Sequence, residues 1–368
     1  MQKTIWDKYA HVLTDYSTEV QKGDLVLIKA ESFEARDLVK AVYKRVLECG
    51  GNPIVRASLG GLSEVFLKTA SDEQLDYIDP ITEKEYEIVD KYISIGAPLN
   101  TKHMARADLS KLARRGRATK YLSEKLMKRS AEGSAKWVIA DVPTQALAQE
   151  AKMSLDEYSE FLFKSCYLDI DDPVAKLKEL DEKQTRWASY LNRVKLLRIT
   201  GEKTDIIFNI EGRKWISCSG RNNYPDGEIF TSPVEDGING EIYFDYPQNY
   251  RGNSALGVHL WIENGLVVKA QAQQGEEFLN AMINMDEGSH GIGEIAIGTN
   301  DEIKEITGNI LFDEKIGGAI HMAVGASYPE TGGKNVSGLH WDLIKNMKNG
   351  GKIFADGVLI YDNGRMII

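Results

Sequence analysis

The chain has 368 residues, of which 42% are hydrophobic and 27% charged, a composition typical of soluble globular proteins. Its formal net charge of −10 argues against nucleic acid or an anionic membrane as the main partner, because phosphate binding needs a cationic face. The cysteines Cys49, Cys166 and Cys218 form no C-x-x-C pair, and the N-terminal sequence has no apolar signal core. These features predict a cytoplasmic protein without a disulfide framework.

The first half of the chain is predicted to be an α/β domain over residues 1–195. Short apolar runs bounded by Gly-rich turns predict strands, and apolar residues at helical spacing predict helices between them. The predicted elements are strands over 25–30, 53–57, 92–95 and 137–140, and helices around 38–47, 109–131, 144–166 and 171–193. A strand, a helix and a second strand at this spacing predict a parallel crossover unit.

The second half, residues 196–368, is predicted to be an α+β catalytic domain with a largely antiparallel sheet. Short alternating runs predict strands, and Asn264-Gly265 between two of them is a strong hairpin signal. The predicted elements are strands over 194–199, 205–210, 241–244 and 265–270, and helices over 276–285 and 338–348.

Several catalytic motifs are absent from the sequence. It has no phosphate-binding G-x-x-x-x-G-K-[ST], no G-x-S-x-G and no H-E-x-x-H, and its first crossover lacks G-x-G-x-x-G. A hydrolytic metal site must therefore be assembled from separate strands and loops. Ten basic residues between Lys102 and Arg129 form either a solvated helix face or a cationic wall for a carboxylate-bearing substrate.

Two histidine segments suggest metal ligands. If His340-Trp341-Asp342 is an extended strand, rather than part of the helix predicted over 338–348, then His340 and Asp342 share a face. An imidazole and a carboxylate side by side are good ligands for a divalent ion. His321 is a lone polar residue in an apolar, glycine-flanked segment, where a hydrogen-bonded core histidine is the ordinary interpretation.

Two glutamates complete the candidate set. Glu294 and Glu228 each lie beside apolar residues, and a buried carboxylate needs a cation or a hydrogen-bond network. The candidate ligands are Glu228, Glu294, His321, Tyr328, His340 and Asp342. Hard oxygens with imidazoles suit zinc, cobalt, manganese or magnesium. Six candidates exceed the need of one tetrahedral site, so a pair of metals sharing a bridging carboxylate is predicted.

Four segments carry a resemblance to a known family. They are GEIFTSP with Glu228, GEIAIGTN with Glu294, GAIHMAVGASYP with His321 and Tyr328, and His340-Trp341-Asp342. In order and approximate spacing the chain resembles the thermophilic-aminopeptidase family of metallopeptidases, of the aminopeptidase T and aminopeptidase S type. The resemblance covers essentially the whole chain, including the GDLVLI opening.

The resemblance implies a two-domain homodimer that releases N-terminal residues from peptides with a free N-terminus. It places two divalent ions, with zinc or cobalt expected first, on the six candidate positions. Glu228 and Tyr328 are the predicted catalytic residues. Glu228 is predicted to move a proton to the leaving amine if it is not itself a tight metal ligand.

Two alternatives remain open at this stage. His321, His340 and Asp342 could hold one iron(II), as in ring-cleaving dioxygenases for dihydroxypyridines, which some relatives of the family resemble. Glu228 and Glu294 are surplus to such a site, which favours the peptidase. The other alternative is a non-catalytic binding protein stabilised by a metal, although a structural zinc site is normally rich in cysteine.

Overall fold

The computed structural model describes residues 4–368, so the first three residues of the predicted N-terminal domain lie outside the described part. The chain forms two compact units. The first unit runs to Val174 and includes Gly220–Pro225, and the second comprises Ala175–Ser219 and Asp226–Ile368.

The helices lie mostly in the first unit. Their bounds are α1 Ile5–His11, α2 Arg36–Glu48, α3 Leu62–Thr69, α4 Asp72–Asp76, α5 Pro80–Ile88, α6 Leu109–Ala131, α7 Gln145–Glu150, α8 Leu155–Ser165, α9 Pro173–Leu191, α10 Glu276–Ile283 and α11 Ile310–Asp313. Among these described helices, none combines the length and apolar character needed to cross a membrane.

The strands divide between the units. Their bounds are β1 Leu25–Ala30, β2 Asn52–Ala57, β3 Lys91–Gly96, β4 Lys136–Asp141, β5 Leu196–Gly201, β6 Thr204–Asn209, β7 Ile216–Cys218, β8 Asn223–Tyr224, β9 Glu228–Thr231, β10 Ile238–Phe244, β11 Gln248–Tyr250, β12 Asn253–Ala255, β13 Val258–Glu263, β14 Leu266–Gln271, β15 Ile292–Gly298, β16 Ala319–Gly325, β17 His340–Asn346, β18 Lys352–Ala355, β19 Val358–Asp362 and β20 Arg365–Met366.

The first unit is built on a parallel sheet in the order β2-β1-β3-β4-β8. Leu27 and Ile93 are fully buried in the middle of this sheet. Such apolar strands are expected where helices cover both faces of a parallel sheet. The predicted α/β class and parallel crossover are therefore confirmed.

The helix predicted over 144–166 is two helices, α7 and α8. The backbone leaves helical geometry after Glu150, and Lys152 has a φ of 60°. Ser154 then starts α8 with a capping box, in which its side chain accepts from the backbone N–H of Glu157 and the Glu157 side chain accepts from the backbone N–H of Ser154. The Ser-x-x-Glu signal marks a second start that the continuous apolar pattern concealed.

The basic segment predicted between Lys102 and Arg129 contains helix α6. Arg114 pairs with Asp72 and Asp76 of α4, and Lys125 pairs with Glu87 of α5. These cations are thus engaged by acids of the first unit itself.

Helix α9 belongs mainly to the second unit, whereas the boundary predicted at residues 195/196 assigned it to the first domain. Its Gln184 amide donates to the Thr299 hydroxyl at the end of β15, and Asp181 accepts hydrogen bonds from Ser217 and Ser219. Polar contacts on one face of the helix explain this assignment, which an apolar pattern does not reveal. The domain boundary at residues 195/196 stays a prediction.

The second unit contains two large antiparallel sheets. The eight-stranded sheet has the order β14-β13-β10-β6-β5-β18-β19-β20. The predicted hairpin is confirmed, because β13 and β14 pair across Asn264 and Gly265, whose φ angles are 50° and 78°. The predicted largely antiparallel character of this half is therefore confirmed.

The five-stranded sheet has the order β17-β16-β15-β9-β7 and carries the candidate site. The helix predicted over 338–348 is wrong, because His340–Asn346 is strand β17, paired with β16 along its length. Apolar residues alternate there: Trp341 and Leu343 enter the core while His340 and Asp342 take the other face. The period of two outweighs helical propensity in this segment.

One face of the five-stranded sheet closes the core of the second unit. Its buried side chains are Ile229, Ile295, Ile297, Ile320, Met322, Val324, Trp341 and Leu343. These residues alternate along each strand with the residues of the opposite face. The core therefore fixes the register that presents the candidate site.

Candidate metal centre

The six predicted site residues come together on the opposite face of the five-stranded sheet. Glu228 begins β9, Glu294 lies on β15, His321 on β16, and His340 and Asp342 on β17, while Tyr328 follows β16. Glu228, Glu294 and His321 are buried, and the other three are partly buried. Four separated sequence segments thus converge, as the prediction of a site assembled from strands and loops requires.

Small residues make room for the cluster. Ala323 lies in register between Glu294 and Asp342, and Ala296 is the register partner of His321. Directly opposed residues stand about 5 Å apart, so a large side chain at either alanine would fill the space that the carboxylates and imidazoles occupy.

A β-bulge aims Glu294. The pairing of β15 with β16 shifts register between Ile292 and Glu294, where Gly293 is the extra residue. A Cβ atom on Gly293 would lie 2.0 Å from the Ala326 carbonyl oxygen, so only glycine fits there. Bulges commonly redirect a side chain beside a functional site.

Glu294 is the centre of the cluster. Its Oε1 lies 3.3 Å from His321 Nε2, and its Oε2 lies 3.3 Å from His340 Nε2. His321 Nε2 is also 3.3 Å from Glu228 Oε2, and His340 Nε2 is 3.4 Å from Asp342 Oδ1. One carboxylate therefore bridges two imidazoles, each of which has a second carboxylate beside it.

Main-chain carbonyls orient both imidazoles. Nδ1 of His321 donates to the Glu314 carbonyl at 3.0 Å, and Nδ1 of His340 donates to the Ala326 carbonyl at 2.8 Å. In the neutral form of each ring this bond keeps the proton on Nδ1, so Nε2 would offer its lone pair on the side of the carboxylates. Metal-binding histidines in proteins are usually held in this way.

Tyr328 closes one side of the cluster. Its ring packs edge-on against His340 and Phe230, each with a centroid distance of 5.1 Å. Its hydroxyl lies 3.4 Å from His340 Nε2. Burial, followed by the negative charges of Glu294 and Asp342, raises the pKa of Tyr328 well above its usual value, so the phenol keeps its proton.

The structure adds two residues that the sequence interpretation missed, Glu314 and Lys315. Glu314, His321 and Asp342 form a further group whose ligand atoms lie within 4.8 Å of one another. Lys315 Nζ donates to Glu228 Oε1 at 2.7 Å. The signal was the charged run Asp313-Glu314-Lys315 just before the glycine pair that leads into the His321 strand.

Excess negative charge sets the protonation of the cluster. Burial raises the pKa of Glu228 to about 8, although Lys315 opposes this shift. Burial alone would lower the pKa of His321, but the hydrogen bond to Glu294 and the charge of Glu228 raise it to about 10. The negative charge of Asp342 likewise outweighs burial and raises the pKa of His340 well above its usual value.

The donor set fits divalent metal ions. Oε2 of Glu228 and Oδ1 of Asp342 are buried and have no hydrogen-bond partner within the described part of the chain. Buried polar atoms are normally satisfied, so these two oxygens indicate a missing partner. Two groups, Glu228-Glu294-His321 and Glu294-His340-Asp342, each have ligand atoms within 4.8 Å of one another and share Glu294. Carboxylates with imidazoles suit zinc, cobalt and manganese.

Solved structures show what the fold is similar to. A structure of wild-type AmpT from Thermus thermophilus has a TM-score of 0.86 at 22% sequence identity, over 99% of each chain. A structure of 2,5-dihydroxypyridine dioxygenase from Pseudomonas putida has a TM-score of 0.60 at 14% identity, over 99% of this chain and 96% of that one. At these identities both likenesses show the fold alone.

The sequence comparisons identify the family. Aminopeptidase 2 of Geobacillus stearothermophilus is 28% identical over 356 residues, covering 88% of this chain and 84% of that protein. The sequence model described as thermophilic metalloprotease (M29) matches residues 2–366. The resemblance carried by the four sequence segments is confirmed, and the chain belongs to the M29 family of thermophilic metalloproteases.

Proposed function

We propose that this chain is a metal-dependent aminopeptidase whose active site is the cluster around Glu294. The observation that carries the proposal is the bridging position of Glu294: its Oε1 lies 3.3 Å from His321 Nε2, and its Oε2 lies 3.3 Å from His340 Nε2. The names of the sequence relatives support removal of residues from the N-terminus of peptides.

We infer two divalent ions in the site from its charge. Asp226, Glu228, Glu294, Glu314 and Asp342 are the carboxylates of the cluster. These five carboxylates and the one ammonium of Lys315 leave four negative charges when the histidines are neutral. Two divalent cations balance that charge, and zinc or cobalt suits the mixed oxygen and nitrogen ligands best.

Each residue has a proposed part. Glu228, Glu294, Glu314, His321, His340 and Asp342 hold the ions, with Tyr328 as a further candidate ligand. Bound divalent ions of this kind polarise a carbonyl and lower the pKa of water toward neutrality.

Glu228 is proposed to carry the proton to the leaving amine. In the metal-free protein, burial raises the pKa of this carboxyl to about 8, so the group can hold a proton near neutral pH, as a general acid or base must. Its Oε2 has no hydrogen-bond partner among the described residues and faces His321. One carboxylate oxygen is therefore open to a proton or an ion while the other stays with Lys315.

Tyr328 is proposed to donate a hydrogen bond to the substrate carbonyl. Its pKa lies well above the usual value, so the hydroxyl remains a donor throughout the physiological range. The two edge-on ring contacts, to Phe230 and His340, hold the phenol beside the cluster. A preorganised donor at a developing oxyanion stabilises the transition state.

We also propose a homodimer in the cytoplasm. Leu62 and Val65 of α3 are each more than half exposed, as is Leu59 just before it. Adjacent exposed apolar side chains are typical of a protein interface.

The three cysteines carry free thiols, as expected in a reducing compartment. Light scattering of the purified protein measures the oligomeric state, and Val65→Glu should produce monomers.

The activity test uses metal-free protein reloaded separately with zinc, cobalt, manganese, magnesium and iron(II). The substrates are aminoacyl-p-nitroanilides and the same compounds with an acetylated amine. The proposal predicts metal-restored hydrolysis of the free-amine substrates and none of the acetylated ones. Oxygen uptake with dihydroxypyridines and iron(II), without peptide hydrolysis, would instead support the one-iron dioxygenase.

A further inference from the structure

Lys315 is a fully buried cation at the edge of the cluster, with a relative exposure of 0%. Its Nζ lies 2.7 Å from Oε1 of Glu228 and 3.8 Å from Oδ1 of Asp226, and it also pairs with Glu314. Taking an ammonium out of water costs several kcal/mol unless carboxylates with good geometry surround it. Three carboxylates provide that surrounding: Asp226 and Glu228 from the segment that leads into β9, and Glu314 from the residue next to the lysine.

The backbone that carries Lys315 is tied to the strand beside Glu228. The Lys315 carbonyl accepts from the backbone N–H of Asn300 at 3.0 Å. A Cβ atom on Gly298 would lie 2.2 Å from the Ile316 carbonyl oxygen, so the two segments touch directly. Because Gly298 is also the register partner of Glu228, the lysine and the glutamate share one rigid support.

The two carboxylate oxygens of Glu228 have different neighbours because Lys315 binds only one of them. Oε1 accepts the hydrogen bond from Lys315, while Oε2, buried and without a hydrogen-bond partner in the described chain, lies 3.3 Å from His321 Nε2. Turning the carboxylate out of its observed plane would move the accepting oxygen away from Nζ and weaken this charge-assisted bond. Lys315 therefore favours the orientation that presents Oε2 to the ligand cluster.

Lys315 also decides where an ion can bind. Cys218, Asp226 and Glu228 form another group with ligand atoms within 4.8 Å of one another. The ammonium lies against both carboxylates of that group, where a metal ion would be repelled.

We propose that Lys315 is a positioning residue of the metal centre, which orients Glu228 and Glu314 by its fixed charge and excludes metal from the pocket of Asp226 and Cys218. The proposal rests on the proposed function, since it assumes that the cluster around Glu294 binds metal. In general, partners that orient metal ligands change metal affinity or activity by about 10- to 100-fold when they are removed.

The test compares Lys315→Met and Lys315→Arg with Lys345→Met. Lys345 is a matched control, because it is a buried lysine of β17 whose Nζ donates only to main-chain carbonyls, those of Tyr243 and Glu202. The measurements are cobalt and zinc affinity by titration calorimetry, the visible spectrum of bound cobalt, and kcat and KM with an aminoacyl-p-nitroanilide.

We expect Lys315→Met to weaken metal binding by about 10- to 100-fold, to change the cobalt spectrum and to lower kcat more than KM. Lys315→Arg should recover part of the affinity, and Lys345→Met should bind metal like the wild type. If Lys315→Met does not fold, Lys315→Gln, which keeps one N–H donor for Glu228, takes its place in the same comparison. Wild-type affinity and spectrum in the folded neutral variant would overturn the proposal.

Measurements on the wild-type protein distinguish failure of the Lys315 role from failure of the proposed function. Metal binding and hydrolysis by wild type, with unchanged metal binding in the Lys315 variants, would refute the role of Lys315 alone. Absence of metal binding and hydrolysis in wild type under the same conditions would refute the proposed function, and the role of Lys315 with it.

Discussion

Each of the two large antiparallel sheets of the second unit places a histidine beside a glutamate, and the two pairs differ in their surroundings. In the eight-stranded sheet, His259 Nε2 lies 3.0 Å from Glu241 Oε2, and the imidazole stacks on Trp261. Burial lowers the pKa of His259 despite the neighbouring acid. In the five-stranded sheet, Glu294 and Glu228 raise the pKa of His321 to about 10.

A histidine next to an acid is therefore not by itself a metal site. Glu241 is a single, partly exposed acid, whereas several buried carboxylates converge on His321. In addition, the Glu314 carbonyl accepts a hydrogen bond from Nδ1 of His321, so Nε2 is the nitrogen that can bind an ion. Convergence and orientation, rather than adjacency, distinguish the two sheets.

The largest expected difference between the two sheets follows from replacing a residue of the metal cluster and, as a control, the histidine of the eight-stranded sheet. Glu294→Gln keeps the shape but removes the bridging charge, and we expect hydrolysis to fall by at least about 100-fold, since losing a ligand costs more than losing its outer partner. His340→Ala should do the same. His259→Ala is the matched control and should retain activity. Steady-state kinetics of metal-replete, folded variants provide the measurement, and near-wild-type turnover of His340→Ala would refute the assignment.

Metal removal should lower the free energy of unfolding through the cluster around Glu294 and not through the pair of His259 and Glu241. Without ions, the carboxylates around Glu294 repel one another, whereas the pair of His259 and Glu241 has no such excess. Restoring an ion at about 100 times its dissociation constant should raise the free energy of unfolding by about 2.7 kcal/mol per site. Denaturation of chelated and reloaded protein tests this, and Glu294→Gln should lose most of the increase. Equal stability of both wild-type forms would contradict the prediction.

The pH dependence of metal binding should also differ between the sheets. Around neutral pH the metal-free cluster holds protons on His321, whose pKa is raised to about 10, and on Glu228, whose pKa is raised to about 8. A metal must displace those protons, so its affinity should rise as the pH rises toward those values. Calorimetry in two buffers of different ionisation enthalpy measures proton release. An affinity independent of pH between 6 and 8 would contradict the predicted protonation.

Tyr328→Phe should have the smallest effect on the cluster. The substitution removes only the hydroxyl, and the edge-on packing against Phe230 and His340 remains possible. If the hydroxyl donates one neutral hydrogen bond in the transition state, kcat should fall roughly 3- to 10-fold with metal affinity retained. A large loss of metal instead of kcat would show that Tyr328 is mainly a ligand.

Sequence patterns were sufficient for the architecture and named the six residues that come together in the candidate cluster. Apolar runs and Gly-rich turns predicted the parallel strands of the first unit, and Asn264-Gly265 correctly predicted a hairpin of the second unit. Four short segments predicted the cluster residues and the family. Local patterns succeed where one face of an element is uniformly buried.

The sequence did not predict the features of the fold and the site that depend on contacts between residues far apart in the chain. A helix was predicted over 338–348, but pairing with β16 makes His340–Asn346 a strand. Glu314 and Lys315 lie outside any strand and join the site only because the turn after α11 folds back on Gly298. No local spacing shows that fold-back, so these two residues required the structure.

The central claim is that two ions share Glu294, and a crystal structure of the zinc-loaded protein with anomalous scattering at the zinc edge tests it most directly. The account predicts two anomalous peaks on either side of the Glu294 carboxylate, one beside His321 and one beside His340. A single peak, or a peak between His259 and Glu241 instead, would contradict it.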